Sequence, residues 1–141
     1  MKILLPVDGS ESALRAVDHL IAHGAWFRDV PEVHLLHVHA PIPIGRVQAH
    51  IGKETLQAYY LEESQALLIE AQKKLDAAGR FHTTHIHVGQ PAEVIVKMAS
   101  DLGCDLIVMG THGRSGIAGL VMGSVANRVL HLATCPVLLV K

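Results

Sequence analysis

The chain has 141 residues, half of them apolar, few aromatics and a formal charge of −1. That length suits one ordinary domain, residues 1–141, able to close a single core, and the apolar content excludes a disordered chain. Twelve basic residues scattered without a run exclude a broad electrostatic hold on nucleic acid. No window reaches the ~18 uninterrupted apolar residues of a transmembrane helix, so no membrane role is expected.

The amino terminus, MKILLPVDGS, has one lysine and an apolar run ending at Pro6 and Asp8. It is too short for a signal-peptide core and reads as the first strand, Ile3 to Val7, of a mature cytoplasmic protein. Asp8-Gly9-Ser10 is a turn, with Ser10 as helix N-cap and Glu11 in the first turn. Ala13, Ala16, Val17, Leu20 and Ile21 then recur at helical spacing up to Gly24. Val33 to Val38 is a second strand, and Ala40 to Gly52, rich in proline and glycine, is a long loop.

Lys53 to Ala78 is the longest predicted helix, with Leu56, Tyr60, Leu67, Leu68, Ala71 and Leu75 on or near one face. Thr84 to Val88 is a third strand, Pro91 to Leu102 a helix stopped by Gly103, and Leu106 to Met109 a fourth strand. After the stretch GTHGRSGIAGLVMGS, Gly110 to Ser124, comes an amphipathic segment, Val125 to Ala133, and a fifth strand, Val137 to Val140. Cys104 and Cys135 lie outside any CxxC and beside apolar strands, which reads as buried reduced thiols.

Strands alternating with helices imply parallel pairing, right-handed crossovers and helices on both faces: an open doubly wound α/β sandwich. Ligands of such sheets bind outside the carboxyl ends of the strands, where the winding reverses. The first strand ends there in Asp8 and the fourth in Gly110. The glycine-rich stretch lets backbone N–H groups approach an anion, a helix start adds partial positive charge, and Arg114 adds a full one. Ser124 can cap the helix or offer its hydroxyl to a phosphate. An ordinary glycine-rich surface loop before a capped helix has the same composition, and both readings stand at this point. A Walker-type loop and the dinucleotide GxGxxG are absent.

Gly110, two residues, Gly113, nine residues, Gly123 and then Ser124 resembles the ATP-binding pattern of the universal stress protein family. Pro6-Val7-Asp8-Gly9-Ser10 and Cys135-Pro136-Val137-Leu138-Leu139-Val140 resemble its two ends. The resemblance implies a Rossmann-like five-stranded sheet of order 3-2-1-4-5 and an ATP site on named residues. Pro6, Val7 and Asp8 would line the adenosine end, Asp8 accepting from ribose hydroxyls or the adenine amine. Val38 would meet the adenine, and Met109 and Gly110 would lie under the ribose and first phosphate. Gly113, Arg114, Gly123, Ser124 and Val125 would hold the phosphates, and His112 would hold the loop or touch the nucleotide. It further implies a nucleotide-binding regulatory role in stress survival, with ATP alone or with Mg2+ or Mn2+, and a homodimer through the edge strand Val137–Val140. A slow ATP hydrolase and a nucleotide-independent partner-binding dimer are the alternatives.

Eleven histidines raise a metal reading, above all His37 with His39 and His85 with His87, because residues two apart on a strand share a face. Zinc needs three or four converging ligands. Histidines near strand ends more often satisfy backbone groups or face solvent, and no metal site is expected.

Overall fold

Each apolar run forms a strand and each amphipathic segment a helix. The computed structural model describes residues 1–43, 52–113 and 122–141. In chain order these form β1 (Lys2–Pro6), α1 (Glu11–Ala22), a 3-10 turn (Gly24–Trp26), β2 (Glu32–His39), α2 (Lys53–Ala77), β3 (His82–Val88), α3 (Pro91–Asp101), β4 (Leu106–Gly110), α4 (Ser124–Leu132) and β5 (Val137–Val140). All strand pairs are parallel and the order is β3-β2-β1-β4-β5, the sheet that the resemblance implies.

Right-handed crossovers fix the faces. The chain winds from β1 through β2 to β3 in one direction, which leaves α1 and α2 on one face. It then crosses to β4 and β5 in the other direction, which leaves α3 and α4 on the opposite face. Two apolar cores result. Ile3, Leu5, Val33, Leu35 and Val108 pack under Ala16, Val17, Leu68 and Leu75. Leu4, Leu36, Ile107 and Met109 pack under Ile95, Met98, Ala126 and Val129. Alternate residues of each central strand therefore serve alternate cores, which is why these strands read as continuous apolar runs.

Helix α1 follows the expected stripe. Ser10 caps it, its Oγ accepting from Ala13 N at 3.1 Å, and the buried positions are Ser12, Ala13, Ala16, Val17 and Leu20. In α2 only a narrow stripe, Ser64, Leu68, Ala71 and Leu75, is buried, because its first turns extend past the sheet. One ion pair ties the two helices together on each face. Lys74 of α2 reaches Asp18 of α1 at 2.9 Å, and Arg128 of α4 bonds Glu93 of α3, its guanidinium holding that carboxyl below the ordinary value.

Strand β3 starts at His82, two residues before the expected Thr84. The ladder to β2, running from Val33↔His82 to His39↔Val88, recruits polar residues that the apolar pattern leaves out. Of the two roles open to Ser124, capping falls to Gly123, and Ser124 is the first helical residue. Cys104 and Cys135 are free thiols. Burial, and then the neighbouring Cys135, push the Cys104 thiol above its ordinary value, which disfavours the reactive thiolate. Among the described residues no helix is long and apolar enough to cross a membrane.

Candidate functional site at the winding reversal

The winding reverses between β1 and β4, and their carboxyl ends open side by side. After β1 the chain turns through Gly9 at φ +80°, a left-handed conformation that favours glycine. Leu67 of α2 packs against the same residue, so that an added Cβ would lie 2.7 Å from its Cδ2. Asp8 closes the turn with one oxygen, Oδ1 accepting from Ser10 N at 2.9 Å. The other oxygen faces the neighbouring loop, 3.2 Å from where a Cβ on Gly113 would stand. The carboxylate thus shapes the turn and is presented beyond it, so its two readings are compatible.

β4 ends at Gly110 for a packing reason. The first turn of α1 lies directly on it, and an added Cβ would be 2.5 Å from the backbone C and O of Ser12. The buried Ser12 hydroxyl then accepts from His112 N at 3.1 Å, fixing the chain as it leaves the sheet. Thr111 Oγ1 and His112 Nδ1 are 2.9 Å apart. Gly123 N donates to Thr111 O at 2.6 Å, and a Cβ on Gly123 would meet Thr111 O at 3.2 Å and His112 Cα at 3.3 Å. Gly113 and Gly123, ten positions apart, are therefore neighbours at the mouth of α4; Gly123 is held close to backbone, whereas a Cβ on Gly113 would meet the Asp8 carboxylate.

These ends enclose a cavity of about 110 Å3. β1 and its turn supply Pro6, Val7 and Asp8. β2 supplies Leu36 and Val38, and β4 supplies Met109 and Gly110, followed by His112 and Gly113. α1 adds Ala13, α3 adds Pro91 and Ile95, and α4 adds Val125 and Ala126. The deep wall is apolar, and Asp8, His112 and Gly113 form a polar rim. Beyond the rim, His112 and Gly113 also border an open polar depression with Gly9, Ser10, Glu11, Ser12 and Arg15. Whole-ligand cavities are roughly 300–1,000 Å3, so the enclosed part has room for one end of such a ligand, with the remainder crossing the rim.

The sequence-derived residues Pro6, Val7, Asp8, Val38, Met109, Gly110, His112, Gly113 and Val125 all line this one cavity. Gly123 and Ser124 stand just outside it at the start of α4, and Arg114 lies outside the described residues. Ala13, Leu36, Pro91, Ile95 and Ala126 were missed as lining, and Ser12 as the residue holding His112. The signals were a serine within the apolar stripe of α1 and the rule that helices following parallel strands begin at the carboxyl edge.

The four histidines weighed as a metal group do not converge. In register, His37 pairs with Ile86 and His39 with Val88, whereas His85 pairs with Leu36 and His87 with Val38. Paired residues of adjacent strands share a face, so the two histidine pairs occupy opposite faces. His37 Nδ1 instead donates to Val7 O at 2.7 Å, and His39 reaches Glu63 of α2 at 2.8 Å. Among the described residues no group of three or more His, Cys, Asp or Glu side chains is gathered to hold a metal.

The sequence model of the universal stress protein family matches residues 1–141. Universal stress protein MJ0531 of Methanocaldococcus jannaschii is 38% identical over 141 residues, covering 99% of this chain and 81% of the relative. The solved structure of MJ0577 from the same organism superposes with a TM-score of 0.84 at 36% identity, over 99% of this chain and 94% of that one. A universal stress protein solved in complex with cAMP superposes with a TM-score of 0.70 at 28% identity, over 100% and 97%.

Proposed function

This chain belongs to the universal stress protein family, and from that premise we infer that it is an adenine-nucleotide-binding regulatory protein that takes ATP and acts as a homodimer. One observation carries the reading. Residues from the ends of β1, β2 and β4 and the start of α4 meet in a single cavity with an apolar floor and a polar rim. A flat base suits the wall of Leu36, Val38, Ile95, Met109 and Ala126, and the free oxygen of Asp8 suits a ribose hydroxyl or the adenine amine. The phosphates then run toward the α4 N-terminus, where main-chain N–H groups at Gly113, Ser124 and Val125 and the positive end of the helix favour an anion. Gly123 contributes differently. Its N–H is engaged by Thr111 O, so its part is to hold the two loop ends together. Arg114, next to Gly113 in sequence, supplies the full positive charge.

Asp8 is the only carboxylate on the cavity among the described residues, and one of its oxygens is committed to the turn. That donor set fits a Mg2+ or Mn2+ ion held chiefly by phosphate oxygens and water, the habit of Mg2+ at nucleotides. Among the described residues the cavity offers no second carboxylate to activate a water against the terminal phosphate. Binding without efficient turnover is therefore expected, in preference to the slow hydrolase.

Asp8→Asn is the direct test of the pose. Asparagine still accepts from Ser10 N, so the turn persists, but the outward oxygen becomes a donor. A hydrogen bond to a charged group contributes about 1.5–3 kcal/mol, and ATP affinity measured by calorimetry should fall roughly 10- to 150-fold with little change in stability. Unchanged affinity rejects the assignment of Asp8.

The dimer reading rests on β5, which ends the sheet order. Pro136 O and Val140 O bond inward to Ile107 N and Thr111 N, so alternation along a parallel ladder points the backbone groups of Val137 and Leu139 outward. An edge strand with free outward groups is a template for a second copy. Leu139→Pro removes one outward N–H and spares the ladder to β4. Sedimentation should then report a monomer, and a persisting dimer moves the interface elsewhere.

A further inference from the structure

A string of three side chains crosses from β2 to the edge strand β3 on the α3 face. His34, buried to 5% exposure, has its Nε2 3.0 Å from Glu32 Oε1 and its Nδ1 3.0 Å from His85 Nε2. We propose that Glu32, His34 and His85 form a one-proton latch that holds β3 against β2 at neutral pH and opens when both imidazoles are protonated.

The hydrogen positions follow from donor and acceptor chemistry. An ionised carboxylate only accepts, so Nε2 of His34 carries the hydrogen that bonds Glu32. A neutral His34 then has a bare Nδ1, and His85 Nε2 is the donor between the rings. One added proton is accommodated without breaking the string. On His85 it leaves the Nε2–H donating as before, and on His34 it lets Nδ1–H donate to a neutral His85 Nε2. A second proton sets N–H against N–H at 3.0 Å, between two like charges, and the contact must open.

The surroundings leave few charges to offset this. Lys2 of β1 pairs in register with Glu32; its ammonium bonds Leu102 O, and its main-chain N–H is taken by the exposed carboxylate of Asp105 at 2.7 Å. On β3, His87 is the next residue on the same face, and its charge adds to the repulsion. On α3, Glu93 is held by Arg128 and Lys97 by Asp101. His82 shares a face with Val33, opposite the latch, near Asp76 of α2 at 3.7 Å. Burial, then His34 and His87, lower the proton affinity of His85. The sign follows directly. A histidine depressed in the folded state stabilises the fold above its unfolded value of about 6.5, and that contribution is lost as pH falls from there toward the folded value. β3 is the element affected, because it ends the sheet and pairs only with β2.

The test is amide hydrogen exchange on the full chain at pH 7.5 and 5.5, corrected for intrinsic rates, with nitrogen-15 titration of the imidazoles. Protection over His82–Val88 should drop by up to about tenfold, the most that one proton taken up only on opening contributes one unit below 6.5, while β1 and β4 keep theirs. His85→Gln keeps a donor to His34 Nδ1 but does not titrate, and its amide can turn to accept from a protonated His34, so β3 should stay protected at both pH values. Undiminished β3 protection in the parent chain, a loss shared equally by β1 and β4, two imidazoles titrating together near 6.5, or an equal loss in His85→Gln would each overturn the latch.

Discussion

Gly110→Val should lower the stability of the fold by about 3 kcal/mol and abolish the proposed ATP binding. The first branch of the new side chain would sit 2.5 Å from the backbone C and O of Ser12, inside any permitted contact, so α1 and β4 must separate. Overpacking of a well-packed site typically costs about 1–3 kcal/mol, occasionally more, and this one meets main chain that cannot rotate away. The separation also breaks the Ser12 hydroxyl's bond to His112 N, which sets the course of the rim. Urea unfolding and ATP titration measure the two effects. Because the collision is with backbone, Ser12→Ala should not restore the double variant; full restoration would mean that the hydroxyl alone made Gly110 necessary.

Val38→Trp separates binding from folding. Val38, next to last in β2, lines the cavity and is only partly buried, so an indole there can extend into the cavity of about 110 Å3. Stability should fall by no more than about 1–3 kcal/mol, the usual cost of a larger side chain at a packed position. ATP affinity should fall at least about 100-fold, about 2.8 kcal/mol, since the ring occupies the place assigned to the base. Retained affinity with intact stability would put the base somewhere other than against Val38.

The two variants mark what was legible in the sequence and what was not. The central strands were legible because residues such as Leu4, Leu5, Leu35, Leu36 and Ile107 are buried on both faces of the sheet, which leaves an unbroken apolar run. Asp8 and Gly110 were legible because both end strands, and strand ends at a winding reversal form the crevice. The strand order itself is not contained in that alternation. It entered through the resemblance, and the ladders bear it out.

What escaped was set by contacts distant in the chain. Ser12 reads as an ordinary polar residue of α1 until β4 is laid against it. Pro91, Ile95 and Ala126 become lining only when α3 and α4 are folded over the carboxyl edge. The extra residues of β3 are polar, and only pairing with β2 makes them strand. The histidines carry the clearest lesson. Spacing of two correctly puts His37 with His39 and His85 with His87, but it does not say which face each pair takes. The register does, and it joins His85 to His34 instead.

The measurement that bears most directly on the nucleotide reading is to denature the freshly purified protein, identify any released nucleotide by chromatography and mass, and determine its molar ratio to protein. The cavity and its rim predict an adenine nucleotide, ATP, near one per chain, or saturable binding when ATP and Mg2+ are added to protein purified without it. No released nucleotide, together with no binding of added ATP, would contradict the account and favour a partner-binding dimer that keeps the glycine pattern for the packing of Ser12, Gly110 and Gly123.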